Sequence, residues 1–206
     1  MSNSQIHGKK FEDILKCEFS GASDNERANT SKWDIEARFD KSKNISTSIK
    51  ASGSLIVGMS DARNFFKIEE DFRLLVGIYT QRGFCKNFEE IREYFITKDI
   101  FNSIRRDLTL RDIELFHNAI KTKPGKEGQK VARQISNDFK LKFIDKKTKL
   151  TLNPKIDSKS QRRLQCSLNL KTIESIDNIE FYVYTESFRD LMLPISIKSS
   201  KREFNK

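Results

Sequence analysis

The chain opens with apolar residues at helical spacing: His7, Phe11, Ile14 and Leu15 form one stripe, and Lys9, Lys10, Asp13 and Lys16 fall outside it. This spacing predicts a helix over residues 4–18, with Glu12 beside the stripe. Residues 21–30 are polar and read as a loop. From Trp33 to Phe39 apolar and polar residues alternate with the period of a strand, which puts Asp34 and Glu36 on one face. Residues 40–44 have turn chemistry, and alternation resumes over residues 45–50, so the pattern predicts a hairpin.

Further on, Ser60 is placed to cap a short helix running through Glu69, with Ala62, Phe65 and Phe66 turned inward. The apolar run over residues 74–79 reads as a central strand, ended by Tyr79 and Gln81. The middle third reads as helical. Asn87 with Glu90 three residues later forms one capping signal, Thr109 precedes a stripe of Ile113, Phe116 and Ile120, and a third helix spans residues 126–139 after Pro124 and Gly125. Strand patterns return at 141–144, 150–152, 163–170 and 179–184, and residues 198–202 form a lysine-rich, solvated end. The expected class is α/β: a central mixed sheet flanked by helices, with a helical insertion and a β-rich C-terminal third. One domain over 1–206 is expected, comprising a core (1–83), a helical region (84–140) and a β-rich region (141–206).

Composition adds a partner class. Thirty-nine Lys and Arg against twenty-nine Asp and Glu leave a net charge of +10, spread along all 206 residues, and a polyanion is the natural complement. Three separated cysteines, with only His7 and His117 to assist them, argue against a disulfide framework or a zinc site. No run of eighteen apolar residues and no apolar leader occurs, so a cytoplasmic protein with no membrane span is expected.

Phosphodiester hydrolysis needs a carboxylate to hold a metal and a cation to favour hydroxide, and neighbouring strands can bring both together. Asp34 on the first expected strand and Ser48-Ile49-Lys50 on the second meet that need, since alternation puts Ser48 and Lys50 on one face. With the helical Glu12 upstream, this pattern over residues 4–80 resembles the PD-(D/E)XK nuclease superfamily, and within it type II restriction endonucleases. The resemblance implies a restriction-endonuclease-like fold, Mg2+ as cofactor, Asp34 as metal ligand, Ile49 contributing its carbonyl, and Glu12 reaching the metal through water. It further implies that Lys50 positions or activates the attacking water, leaving a 5′-phosphate and a 3′-hydroxyl. Trp33 stands where the pattern has proline, and Ser48 where it has an acidic residue. A hydroxyl is a weaker magnesium ligand than a carboxylate, so a second carboxylate is sought elsewhere. Glu12 and Glu36 are the two candidates, Glu12 being favoured by the superfamily pattern.

Lys159, Gln161, Arg162, Arg163 and Gln165 gather DNA-competent side chains in one loop-to-strand passage that resembles the recognition strands of some restriction endonucleases. Arg pairs bidentately with guanine and Gln with adenine. In the strand Leu164, Cys166 and Leu168 face one way, and Arg163, Gln165 and Ser167 the other. Phosphate contacts are open to Lys126, Lys130, Arg133, Lys146, Lys147 and Lys149, and the sequence does not rank them. The expectation is a type II endonuclease cutting double-stranded DNA at a short site, acting as a homodimer across a palindrome, with residues 84–140 available for dimerisation. A structure-selective or repair nuclease of the same superfamily, and a non-catalytic basic nucleic-acid-binding protein, are the alternatives.

Overall fold

In the computed structural model the described residues are 3–21, 32–82, 85–185 and 192–194, with side chains described outside 3–10 and 192–194. Most of the loop expected over 21–30, and the lysine-rich end over 198–202, lie outside them. Among the described residues the chain is mixed α/β, with two sheets and six α-helices. It divides into two compact units built from interleaved segments, 1–54 with 72–95 and 181–206, and 55–71 with 96–180. These units do not follow the expected sequence blocks 1–83, 84–140 and 141–206. No helix among the described residues is long and apolar enough to cross a membrane.

The first unit contains helix α1 (Asn3–Ser20) and a mixed sheet. The sheet runs in the order β1 (Thr47–Ser52), β3 (Phe72–Arg82), β4 (Cys85–Ile96), β7 (Glu180–Tyr184), with β8 (Met192–Pro194) also pairing β4. Helix α1 ends at Gly21, whose φ of +63° suits a residue without a Cβ and whose N–H donates to the Cys17 carbonyl at 3.2 Å. Of the stripe read from the sequence, Phe11 and Leu15 are buried against Ile35, Ile49, Leu75, Phe88 and Ile91, and Ile14 is partly buried beside them. Helix and sheet come this close because Gly77 leaves room. The Phe11 ring stacks on Phe88 at 4.1 Å, and a Cβ on Gly77 would lie 2.2 Å from Phe11 and 2.7 Å from Phe88.

Beside this apolar cluster lies a buried ionic hub. The Arg73 guanidinium, 1% exposed, donates to Asp40 Oδ2 at 2.9 Å, to Glu93 Oε1 at 3.3 Å, to Thr47 Oγ1 at 2.8 Å and to the Phe19 carbonyl at 3.4 Å. Asp40 Oδ1 in turn accepts from the Ser42 and Lys43 N–H groups. Glu93 accepts from the Tyr184 hydroxyl at 2.6 Å, and burial together with that carboxylate pushes the phenol up to about 12. One arginine thus ties α1, β1, β3, β4 and β7.

The second unit holds an antiparallel sheet ordered β2 (Ile56–Asp61), β6 (Arg162–Asn169), β5 (Leu150–Ile156), with helices α2 (Ala62–Phe66), α3 (Lys98–Arg105), α4 (Leu110–Ala119), α5 (Lys126–Phe143) and α6 (Leu170–Glu174). Thr109 caps α4 in a full capping box with Asp112, and Ile113, Phe116 and Ile120 are buried as the stripe predicts. Phe116 stacks on Phe139 at 4.8 Å, joining α4 to α5.

Several expected elements differ. Residues 33–39 do not form a strand: Ile35 makes a single antiparallel bridge to Thr47, and Ala37–Phe39 coil into a 3-10 turn. The hairpin is absent because β1 pairs in parallel with β3 instead, Ile49 opposite Leu75 and Lys50 opposite Val76. The segment begun by Asn87 is strand β4, not a helix. Phe88 and Ile91 join one cluster at a spacing of three, which imitates a helical stripe. Residues 141–144 end α5 and enter a 3-10 turn, since Phe139 and Phe143 both pack on Phe116 at helical spacing. The helix expected from Ser60 to Glu69 is five residues long and capped by Asp61, and the preceding alternation of exposed and buried residues forms β2.

Candidate functional site

Strand β1 is an edge strand, so the outward N–H and C=O groups of Ile49 need partners that no strand supplies. Asp34 and Lys50 supply them. Asp34 Oδ2 accepts from the Ile49 N–H at 2.7 Å, and the Lys50 ammonium donates to the Ile49 carbonyl at 2.9 Å and to Asp34 Oδ2 at 3.1 Å. The Ser48 hydroxyl donates to the same carboxylate oxygen at 3.3 Å. Asp34 is held from behind as well, because its own N–H and that of Ile35 both donate to the Thr47 carbonyl, at 3.0 and 3.1 Å. The Thr47 hydroxyl is in turn a partner of Arg73, which links the ionic hub to the backbone that positions Asp34.

Strand alternation sets the direction of each side chain. Ile49 is 2% exposed and packs with Phe11 and Leu15 of α1, so Ser48 and Lys50 project from the other face. The pair remains reachable from solvent, Lys50 being 22% and Asp34 12% exposed at the side chain. Two hard oxygens, one carboxylate and one carbonyl, thus converge on a single cationic centre. Magnesium is commonly held by one or two carboxylates while keeping several waters, so this donor set fits it.

Asp34, Ser48, Ile49 and Lys50 are therefore brought together. Of the two further carboxylates, Glu36 lies at the start of the 3-10 turn with its Oε2 2.9 Å from Arg38 Nε, and Glu12 is half-buried on α1 next to Phe11. Among the described residues no group of three or more His, Cys, Asp or Glu side chains is arranged to hold a metal ion.

In the second unit β6 carries the sequence-predicted polar row. Arg163 is exposed and Gln165 half-buried, while Leu164, Cys166 and Leu168 are buried on the opposite face. The row continues across the sheet, with Lys155 opposite Arg163 and Asn153 opposite Gln165. Ser167 departs from the expectation: it is 7% exposed, and its hydroxyl accepts from the Asn153 amide at 2.9 Å. Burial, with the charge of Asp61, pushes the Cys166 thiol up to about 12 and leaves it inert as a nucleophile. Lys159 and Gln161 sit exposed on the turn before β6, whose Lys159 and Gln161 N–H groups are gathered by the Asp157 carboxylate.

Arg162 is used differently from its neighbours. Its guanidinium donates to the carbonyls of Asp157 and Gln161, to Thr122 Oγ1 at 3.2 Å and to the Lys123 carbonyl at 3.4 Å, and its side chain is only 6% exposed. It clamps two loops together and offers no fork to a base edge. Sequence reasoning missed this clamp and the Arg73 hub, since the partners of Arg73 lie far away in sequence and Arg162 is engaged mainly by backbone carbonyls, which no residue type marks. Comparison with protein-family models, with curated proteins and with solved structures found no match, so the reading of the site rests on its geometry.

Proposed function

We propose that the protein is a magnesium-dependent DNA endonuclease with a restriction-endonuclease-like fold, working as a type II restriction enzyme. The observation that carries this reading is the convergence of Asp34 Oδ2, the Ile49 carbonyl and the Lys50 ammonium at an open sheet edge. Asp34 and Ile49 would hold Mg2+, with Glu12 or Glu36 as the further carboxylate. The ion supplies Lewis-acid neutralisation of charge on the scissile phosphate and eases ionisation of water.

The chain's own residues do the rest. Lys50, on the same side as Asp34, hydrogen-bonds the attacking water and favours loss of its proton through its positive charge. Ser48 donates to Asp34 and keeps the carboxylate oriented toward the strand edge. The water oxygen bonds to phosphorus as the 3′-oxygen leaves, giving a 5′-phosphate and a 3′-hydroxyl. Arg163 and Gln165, with Lys155 and Asn153 beside them, form the row proposed to read base edges in the major groove, and a homodimer would match a palindromic site. Arg162 is left out of that row.

The test is incubation with phage DNA and Mg2+. Discrete fragments are expected. A smear would move the reading to a nonspecific or structure-selective nuclease, and intact DNA across Mg2+, Mn2+ and a range of salt would overturn it. Asp34→Ala and Lys50→Ala should each abolish cleavage while duplex binding in Ca2+ persists. Full activity in either variant would remove the site assignment.

A further inference from the structure

We infer that the outward face of α5, with the turn at Ser158, binds the phosphodiester backbone of duplex DNA. The inference deepens the nuclease reading by ranking phosphate-contacting residues that the sequence leaves equal. At 3.6 residues per turn Lys126, Lys130, Arg133 and Asn137 fall within an arc of about 60°. Ala132 and Ser136, which are buried, lie about 90–130° from the centre of that arc. A groove of about 500 Å³ runs along the arc, lined also by Gln129, Gln134 and Ser158. Glu127 and Asp138, the acidic residues of α5, lie about 100–120° from Lys126 and do not line the groove, though Asp138 Oδ1 accepts from the amide of the lining Gln134 at 3.1 Å.

Three features make this a phosphate surface rather than a generally solvated helix. First, Lys126, Lys130 and Arg133 are exposed and no salt bridge among the described residues engages them. Of the competing lysines, Lys146 stands 3.6 Å from Asp112 and Lys149 lines a separate cavity together with Asp99 and Asp177, while Lys147 is exposed at the end of the 3-10 turn. Second, the three cations span a helical rise of about 10 Å, comparable to roughly three phosphates of one strand at 3.4 Å each. Third, the groove is held in shape. The Gly125 N–H donates to the Ser158 carbonyl at 2.9 Å, the Gln129 amide donates to the Ile156 carbonyl at 3.4 Å, and the Arg162 clamp fastens residues 122–123 to the same turn. Gly128 lets that strap lie on the first turn of α5, since a Cβ there would sit 1.8 Å from the Lys123 carbonyl oxygen. Gly125 caps the helix without a side-chain hydrogen bond.

The experiment measures binding of the full chain to a nonspecific DNA duplex, without divalent metal, over a series of salt concentrations. The triple variant Lys126→Ala, Lys130→Ala, Arg133→Ala is compared with a control of equal charge change, Lys146→Ala, Lys147→Ala, Lys149→Ala. The α5 variant should flatten the slope of log affinity against log salt by about 2.7, at roughly 0.9 per phosphate contact, and the control by less than about 1. Circular dichroism melts should leave the α5 variant folded, since the altered side chains are exposed. Equal flattening in both variants, an unchanged α5 variant, no binding by the unaltered protein, or tighter binding of an RNA duplex of the same length would each overturn the inference. Failure here is separable from failure of the nuclease reading. An α5 variant that binds and cuts normally removes only this surface, whereas intact phage DNA with slope loss confined to the α5 variant removes only the nuclease.

Discussion

Arg73 and Asp40 meet at 2.9 Å with side chains 1% and 0% exposed, thirty-three residues apart in sequence. A buried pair of this kind is a weak source of net stability when both members are present, because both charges lose their hydration. Removing one member is another matter, since the remaining charge is left buried. Arg73→Met should destabilise the protein by about 3–5 kcal/mol, read as a fall in the urea midpoint. The same variant should loosen Asp34, because Thr47 loses the guanidinium that holds its hydroxyl. A midpoint within error of the unaltered protein would show that the hub is dispensable.

The two carboxylates proposed beside Asp34 separate by titration. On the proposed reading, Glu36 already has Arg38 at 2.9 Å, so Glu36→Gln should leave the Mg2+ dependence of cleavage near that of the unaltered protein. Glu12→Gln should raise the Mg2+ concentration needed for half-maximal cleavage by roughly 10- to 100-fold, as loss of a residue orienting a metal shell does. The opposite pattern would transfer the role to Glu36.

Gly77 tests the packing of α1 on the sheet. Gly77→Ala places a methyl group 2.2 Å from the Phe11 ring and should cost about 1–3 kcal/mol through displacement of Phe11 and Phe88. Adding Phe11→Leu should recover part of the loss, so the double variant should be more stable than the sum of the single changes implies. Strict additivity in denaturant melts would place the strain elsewhere.

His117 gives the second unit a pH dependence. Burial, followed by the charges of Arg63 and Lys121, holds its imidazole below the ordinary value of 6.5, and its Nδ1 has no hydrogen-bond partner. Between the lowered folded value and 6.5 the unfolded chain binds the proton more readily, so stability rises with pH through that window and falls as pH drops below about 6.5. The thermal midpoint should follow that trend, and His117→Leu should flatten it. An unaltered slope in the variant would assign the dependence to other groups.

How much of this was legible follows from which interactions are local. The stripe of Phe11 and Leu15, the capping box of Thr109 and Asp112, and the alternation along β6 each depend on residues within about one or two turns, or on neighbouring positions of one strand. Segment 33–39 has a strand's alternation but only one bridging partner, and Cys85–Ile96 has a helix-like spacing of Phe88 and Ile91 yet lies between β3 and β7. Periodicity reports which side chains are buried, and the identity of a strand's hydrogen-bonding neighbour is a long-range fact.

The candidate site divides in the same way. The sequence by itself determined that Ser48 and Lys50 share a face with Ile49 opposed, because alternation along an extended backbone is a property of the chain. It also determined the basic charge and the polar row of Arg163 and Gln165. Only the tertiary structure decided that β1 is an edge strand paired in parallel with β3, which leaves the Ile49 carbonyl and N–H to be met by Lys50 and Asp34. It likewise committed Arg162 to backbone carbonyls while leaving Arg163 exposed, although the two are adjacent and chemically identical. The reason is physical: a side chain's direction is set locally, but its partners are set by whichever segments the fold brings within 3 Å or so, the range of a hydrogen bond.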